Sequence, residues 1–288
     1  MAHGTILEHF WISYREVPPI ALYQDRLQGG KTMTIDQLFS LKGKTAVVTG
    51  GGRGLGRYMA IALAEAGADL VLGARHVEAL EETAEMLKPL GTKIITSKLD
   101  VTIPDDVSRV VDDTLEHFGS IDILVNNSGT SWGAAPEAMP LEAWEKVFEV
   151  NVTGTFLMTQ VVGQVMLSQG YGKIINIASV AGLGGIDPRI MDALAYNSSK
   201  GAVITMTRDL ARKWGPRGIQ VNAIAPGFFP TKMSQALITH RGEEILNATP
   251  LRRFGNENDI KGIVVLLASQ ASDFMTGAIV VVDGGTSA

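Results

Sequence analysis

The stretch Thr49-Gly50-Gly51-Gly52-Arg53-Gly54-Leu55-Gly56 follows an apolar run at 45–48 and opens an alanine-rich helical pattern over 55–66. Strand, glycine turn and helix in this order make a phosphate cradle. Gly50, Gly54 and Gly56 let the chain turn tightly and bring backbone N–H groups and a helix N-terminus against a pyrophosphate. The spacing is T-G-x-x-x-G-x-G rather than the common G-x-G-x-x-G, which narrows the group of proteins it suits. A glycine cluster between two elements is also what a plain turn looks like, so the reading needs support from further along the chain. Gly30-Lys31-Thr32 and Gly43-Lys44-Thr45 resemble the end of a P-loop, but Asp25 and Leu38 stand where its first glycine is needed.

Around that stretch, short β-branched runs alternate with longer helical patterns, as in a parallel sheet covered on both faces. Strands are predicted at 45–49, 70–73, 94–99, 121–125, 173–178, 220–225 and 278–282, and helices at 54–66, 77–90, 104–118, 141–168, 195–214 and 257–268. Thr102 as a hydroxyl cap followed by Pro104 suits the first turn of the third helix. The fold class is therefore α/β: a single doubly wound, Rossmann-like domain over 41–288, with a seven-stranded parallel sheet and helices on both faces. Residues 1–40 read as an N-terminal extension. Either Phe10, Trp11 and Tyr14 belong to an arm that packs on the body or on a neighbouring subunit, or Met33 is the natural start, with Gln28-Gly29-Gly30-Lys31 a ribosome-binding site read in frame.

A chain of 288 residues, 45% hydrophobic, suits one such domain. The net charge of −5, with lysines and arginines scattered singly, offers no stripe for nucleic acid and no polybasic membrane patch. The absence of cysteine excludes disulfides, thiolate metal sites and a cysteine nucleophile. No uninterrupted apolar run approaches the ~18 residues of a membrane span, and 1–20 lack a signal peptide's apolar core. These features lead to the expectation of a cytoplasmic protein without nucleic-acid or membrane partners.

Support for the cradle comes from Asn126-Asn127-Ser128-Gly129, Asn151, Ser179, Tyr196-Asn197-Ser198-Ser199-Lys200, and Pro226-Gly227 followed by Thr231. Taken in this order, from about 41 to 288, they resemble the short-chain dehydrogenases/reductases. The resemblance implies a nicotinamide cofactor held by Gly50, Arg53, Gly54, Leu55 and Gly56. Asp100 and Val101 would meet the adenine, and Asn127 and Gly129 the ribose. Pro226, Gly227, Phe229 and Thr231 belong to the loop at the carboxamide. At the end of the second strand an acid would accept the 2′-OH of NAD, whereas a cation would pair the 2′-phosphate of NADP. Ala74 stands where the acid is expected and Arg75 follows it; with Arg53, these guanidinium groups suit NADP(H), although both arginines are also what solvated surface charges look like.

Tyr196 and Lys200, at i and i+4, share one helix face. A phenol is a poor base at neutral pH, and bringing its pKa from ~10 toward ~7 takes roughly 4 kcal/mol, which an ammonium and a positive nicotinamide ring can share. The resemblance makes Tyr196 the general acid/base, with Lys200 lowering its pKa and binding the cofactor's ribose. It makes Ser179 the hydroxyl that holds the substrate oxygen, and Asn151 the anchor of a proton-relay water. The gap between Ser179 and Tyr196 is longer than usual in the family, so 186–192 should form an enlarged loop at the substrate mouth, with Arg189 facing an anionic substrate such as a sugar acid or a phosphopantetheine group, although a loop arginine is also what a solvated charge looks like. Residues 232–251 read as a helical, mobile lid.

The implied activity is hydride transfer between NADP(H) and a small-molecule secondary alcohol or ketone, without a metal, in an enzyme like the 3-oxoacyl-carrier-protein reductases or the gluconate 5-dehydrogenases. The alternatives are an NAD(H)-dependent polyol or sugar-acid dehydrogenase and a catalytically silent, cofactor-binding regulatory protein. By analogy with the family the chain is expected to form a homotetramer through the helices starting at Leu141 and Ala195 and the strand Val280-Val281-Val282.

Overall fold

Strands covered on both faces bury every position, and β1 (Thr45–Thr49) does so. In the computed structural model, which describes residues 32–288, Ile35–Ala288 form one compact unit. The strands β1, β2 (Asp69–Ala74), β3 (Ile94–Lys98), β4 (Ile123–Asn126), β5 (Gly172–Ile177), β6 (Ile219–Pro226) and β7 (Ile279–Val282) form one sheet in the order β3-β2-β1-β4-β5-β6-β7. Every pairing is parallel. The helices are α1 (Ile35–Phe39), α2 (Gly54–Glu65), α3 (Glu78–Leu87), α4 (Pro104–Phe118), α5 (Leu141–Phe148), α6 (Gly154–Gln169), α7 (Leu194–Trp214), α8 (Gln235–Ala248) and α9 (Glu257–Ala268).

Successive strand residues face opposite ways, which splits the core in two. Val48, Leu70, Leu72, Val125 and Ile175 pack with Met59 and Leu63 of α2, Leu80 of α3 and Val264 of α9. Val47, Val71, Leu124 and Ile174 pack with Val107 and Val110 of α4, Met158 and Val162 of α6 and Ala211 of α7. The doubly wound sheet expected from the sequence is thus the one observed, with strand ends shifted by a residue or two. A buried polar chain anchors two of the helices: Asn126 Nδ2 donates to Thr159 Oγ1 of α6 and to Asn176 Oδ1, each at 2.9 Å, and Asn176 Nδ2 donates to Thr207 Oγ1 of α7 at 2.9 Å.

Three details depart from the sequence reading. Thr102 does not cap α4: the residue before the helix is Ile103, and the Thr102 hydroxyl donates to Asp100 Oδ1 at 2.7 Å, a nearer acceptor that outcompetes the helix end. The helix expected at 141–168 runs over Leu141–Gln169 but contains a π turn, Glu149–Thr153. Its 29 residues are long and apolar enough to cross a membrane by length and composition, while Met158, Val162 and Met166 are buried against the sheet. Within the stretch read as an extension, 35–39 form α1; Phe10, Trp11, Tyr14 and 28–31 lie outside the described residues.

At the amino ends of the central strands, Lys173 is 0% exposed and its ammonium donates to Asp273 Oδ1 at 2.7 Å and Ser272 Oγ at 3.3 Å. Lys44 pairs with Asp122 at 2.8 Å and lies 4.2 Å from the centre of the Tyr171 ring. Burial, then Asp273 and Asp122, push the Tyr171 phenol up to about 12. Removing one partner of a buried pair costs more than removing both. Because the Asp273 side chain is 55% exposed, Asp273→Ala should cost only about 1–3 kcal/mol, and adding Lys173→Met should recover most of it, as read by urea unfolding.

Candidate active site

The glycine turn leaves β1 with Gly50 at φ +67° and Gly54 at φ +55°, the left-handed region that side chains resist. A Cβ on Gly56 would lie 2.1 Å from Gly50 O, so α2 begins directly against the turn's backbone. Leu55 is in the first turn of α2, and Arg53 is its extended N-cap residue with no capping bond from its side chain. The turn is held from the neighbouring strand. Asn127 Nδ2 donates to Thr49 O at 3.0 Å and Gly50 O at 3.2 Å, and Thr49 Oγ1 accepts from the amides of Asn127 and Ser128, each at 2.9 Å.

Arg75 follows the last residue of β2 and, like Arg53, is exposed. Among the described residues neither guanidinium has a hydrogen-bond or ion-pair partner. Asp100 opens the turn after β3. Burial opposes its ionisation, but the hydroxyl and amide of Thr102, with Arg75 and Lys146, hold its carboxyl below the usual value. Val101 is buried against the start of α6, where a Cβ on Gly154 would come within 2.5 Å of it. Pro226 ends β6, and the Gly227 amide donates to Val282 O at 2.9 Å. Phe229 is buried and packs on Gly255. Thr231 reaches the glycine turn, its Cγ2 lying 3.2 Å from where a Cβ on Gly54 would be. Backbone cradle, free cations and Thr231 thus line one crevice at the carboxyl ends of the strands, where open α/β sheets bind ligands, and they fit a phosphorylated dinucleotide.

Beside the crevice the structure brings Asn151, Ser179, Tyr196 and Lys200 together. Ser179 caps a short 3₁₀ turn after β5, its Oγ accepting from the Ala181 amide at 3.2 Å, and its side chain acts on the Tyr196 phenol, holding the phenol's pKa down. Lys200 Nζ donates to Ile177 O at 2.7 Å and sits 5.6 Å from the centre of the Tyr196 ring. Gly182 lets the Ser179 turn lie on α7: a Cβ there would meet Lys200 C at 2.5 Å. Asn151 occupies the π turn, a geometry frequent at functional sites. Its Oδ1 accepts from the Thr130 amide at 2.8 Å, and its Nδ2 donates to Thr130 O and Ser199 Oγ, each at 2.9 Å. Gly129 lies between, since a Cβ on it would be 3.3 Å from Asn151 Oδ1 and 3.7 Å from Lys200 Nζ.

Among the protein's own groups, burial raises the Tyr196 phenol above its ordinary value and the Ser179 side chain opposes this. The same burial lowers Lys200 to about 8, with its ammonium turned to the Ile177 carbonyl.

Around the substrate mouth, Ala134 pairs with Ala193, tying the loop after β4 to the enlarged loop before α7. Arg189, with 84% of its side chain exposed, is held by its own loop: its Nε donates to Asp187 Oδ1 at 3.0 Å, and an anionic substrate would compete with that carboxylate. The segment read as a lid is α8, broken at Arg241 (φ −133°). Sequence reading missed Thr49, Thr130, Gly182, Ser199 and Ser234; the last donates to Phe229 O at 2.5 Å and lies 3.2 Å from Thr231 Oγ1. A serine or threonine in a turn carries no mark of the partner it will find, although Ser234, three residues after Thr231, has the spacing of a local turn bond.

A family model described as enoyl-(acyl carrier protein) reductase matches residues 50–287. The 2-dehydro-3-deoxy-D-gluconate 5-dehydrogenase of Bacillus subtilis (strain 168) is 43% identical over 250 residues, covering 86% of this chain and 96% of its own. A short-chain type dehydrogenase/reductase from Mycobacterium marinum superposes with a TM-score of 0.85 at 37% identity, over 88% of this chain and 99% of its own. A gluconate 5-dehydrogenase from Burkholderia cenocepacia J2315, solved with NADP and tartrate, gives a TM-score of 0.83 at 35% identity, over 88% and 98%. The chain belongs to the short-chain dehydrogenase/reductase family. It is an oxidoreductase that acts on CH–OH groups.

Lys200 gives the site a pH signature. Its pKa falls on folding from 10.5 to about 8, so between those values the unfolded chain binds more protons and unfolding free energy rises with pH. Below pH 8 the buried ammonium weighs fully against folding. Lys200→Met, stripped of nucleotide, should therefore melt above wild type near neutral pH, and the gap should close between about pH 8 and 10. Melting curves across that range check this; a constant gap would contradict it.

Proposed function

We propose that this chain is an NADP(H)-dependent dehydrogenase/reductase that interconverts a secondary hydroxyl and a ketone on a sugar acid, with Asn151, Ser179, Tyr196 and Lys200 as its reacting centre. The observation that carries the reading is the Lys200 ammonium 5.6 Å from the centre of the Tyr196 ring, with the Ser179 side chain acting on the same phenol. Two hydroxyls then converge where a carbonyl oxygen can accept from both.

In this reading the cradle of Gly50, Gly54, Leu55 and Gly56 takes the pyrophosphate, and Arg53 and Arg75 take the 2′-phosphate. Asp100 and Val101 border the adenine, Asn127 and Gly129 the ribose, and Pro226, Gly227, Phe229 and Thr231 the carboxamide. The bound nicotinamide supplies or accepts the hydride and, when oxidised, adds a positive charge beside the phenol. Ser179 orients the substrate oxygen. Tyr196, kept protonated by burial, donates its proton to that oxygen when the ketone is reduced. Lys200 holds the cofactor's ribose and, through a water at Asn151, passes protons onward.

The NADP preference is supported by the two unpaired arginines and by related structures solved with NADP. The sugar-acid preference is supported by relatives named 2-dehydro-3-deoxy-D-gluconate 5-dehydrogenase and gluconate 5-dehydrogenase. Exposed Phe156, Leu194 and Val281 support assembly through α6, α7 and β7 into a homotetramer; a cytoplasmic location goes with this reading.

Nicotinamide absorbance with a panel of gluconates, keto-gluconates and β-ketoesters tests the assignment, and no turnover on any of them would favour a silent cofactor-binding protein. Tyr196→Phe should bind NADPH normally and lose about 10²–10⁴-fold in kcat. Arg75→Asp should lower the NADPH to NADH ratio of kcat/KM at least about tenfold, and an unchanged ratio would remove the 2′-phosphate assignment.

A further inference from the structure

Ser199 lies within the Tyr196-Asn197-Ser198-Ser199-Lys200 stretch, yet neither its type nor its spacing draws attention to it. Its side chain is 0% exposed. The Oγ–H donates to Tyr196 O at 2.7 Å, and the same oxygen accepts from Asn151 Nδ2 at 2.9 Å. A serine inside a helix that bonds a carbonyl one turn back is ordinary. Receiving a buried amide from another element, 48 residues earlier, is not.

We propose that Ser199 is a positioning residue: its hydroxyl locks the orientation of the Asn151 amide and ties the Tyr196–Lys200 turn of α7 to the loop after β4. Donor and acceptor counting allows one arrangement. Asn151 Nδ2 can only donate, so Ser199 Oγ must accept from it, and the hydroxyl proton goes to Tyr196 O. Asn151 Oδ1 is committed to the Thr130 amide and its remaining N–H to Thr130 O. A flipped amide would put donor against donor at the Thr130 N–H and acceptor against acceptor at its carbonyl. Thr130 and Ser199 therefore hold the amide from two sides. Without the Ser199 oxygen, one Asn151 N–H is left buried and unpaired, and such a group moves to find a partner. Asn151 Oδ1 and Lys200 Nζ both border Gly129, so that movement reaches the ammonium. The Tyr196 carbonyl that Ser199 bonds is also the one that, in an α-helix, accepts from the amide of Lys200. One hydroxyl thus sits on the turn joining phenol and ammonium.

The inference rests on Tyr196 and Lys200 being the reacting pair, a reading that stands or falls separately with Tyr196→Phe. Full-length Ser199→Ala is expected to lose about 10- to 100-fold in kcat while substrate KM and the NADPH dissociation constant, read by nucleotide fluorescence, stay within about threefold. The pH at which kcat reaches half its plateau should move by at least about half a unit. The kcat losses of Asn151→Ala and Ser199→Ala should not multiply in the double variant, because both break the same contact. A Ser199→Ala protein that melts lower but keeps the wild-type kcat and pH profile would overturn the proposal, as would multiplicative losses. If Ser199→Ala does not fold, Ser199→Cys, similar in size but a weak donor, decides by the same measurements.

Discussion

The parallel pairing of β1 with β4 is the constraint on which the rest of this structure depends. From β1 the sheet grows outward to β2 and β3, and from β4 to β5, β6 and β7, so the chain diverges at this pair and a crevice opens at the carboxyl ends of the two strands. The turn after Thr49 is bonded on the β2 side, its Gly50 amide donating to Gly73 O at 2.7 Å. On the β4 side Thr49 Oγ1 and the Asn127 side-chain amide join the two strand ends across the crevice floor. The glycine turn is therefore tied to β4 by hydrogen bonds on one side. Its N–H groups need no reorganisation to receive a pyrophosphate.

Burial shapes the chemistry as strongly as charge does. A lysine one turn from a tyrosine invites the view that the cation makes the phenol acidic. In this site both groups are desolvated, and desolvation moves them in opposite directions: the phenol up, the ammonium down to about 8. Each is thereby biased toward its neutral form, and the pair is held in reserve. A neutral, protonated phenol is the form that donates to a ketone oxygen. Removing a proton from it for the reverse reaction would need positive charge close to the ring, which an oxidised nicotinamide held beside Tyr196 would supply.

Much of this was legible in the sequence. Alternating apolar runs and helical patterns announced the seven-stranded sheet and its two-sided cover, because strands buried on both faces are mostly apolar and carry polar side chains only where these find buried partners. The glycine turn and the Tyr196–Lys200 pair were legible because each is defined by local spacing, and Ser179 through the family resemblance that these motifs carry. What escaped depended on partners distant in the chain. The π turn at Glu149–Thr153 has a helical sequence; it arises where the Gly154 amide reaches back to Glu149 O and where Asn151 must point inward. Thr102 had the composition of a cap and found Asp100 first. Ser199 and Thr130 matter through an amide 48 and 21 positions away, respectively.

The same distinction explains how residues from separate loops deliver a tight geometry. Ser179, Tyr196 and the loop of Thr231 leave different strands or helices, and what sets their separation is close approach to backbone that carries no side chain. Gly182 lets the Ser179 turn rest on the peptide of Lys200, and Gly54 lets Thr231 approach the cradle. Backbone contacts at such distances give little, so the error in placing one reacting group against another is smaller than any pair of flexible side chains would permit. Hydroxyls and one amide then fill the remaining freedom, each with its donors and acceptors spoken for. Precision at the reacting centre thus comes from small residues flanking the chemical ones, while Arg189, further out, is held only by its own loop's Asp187.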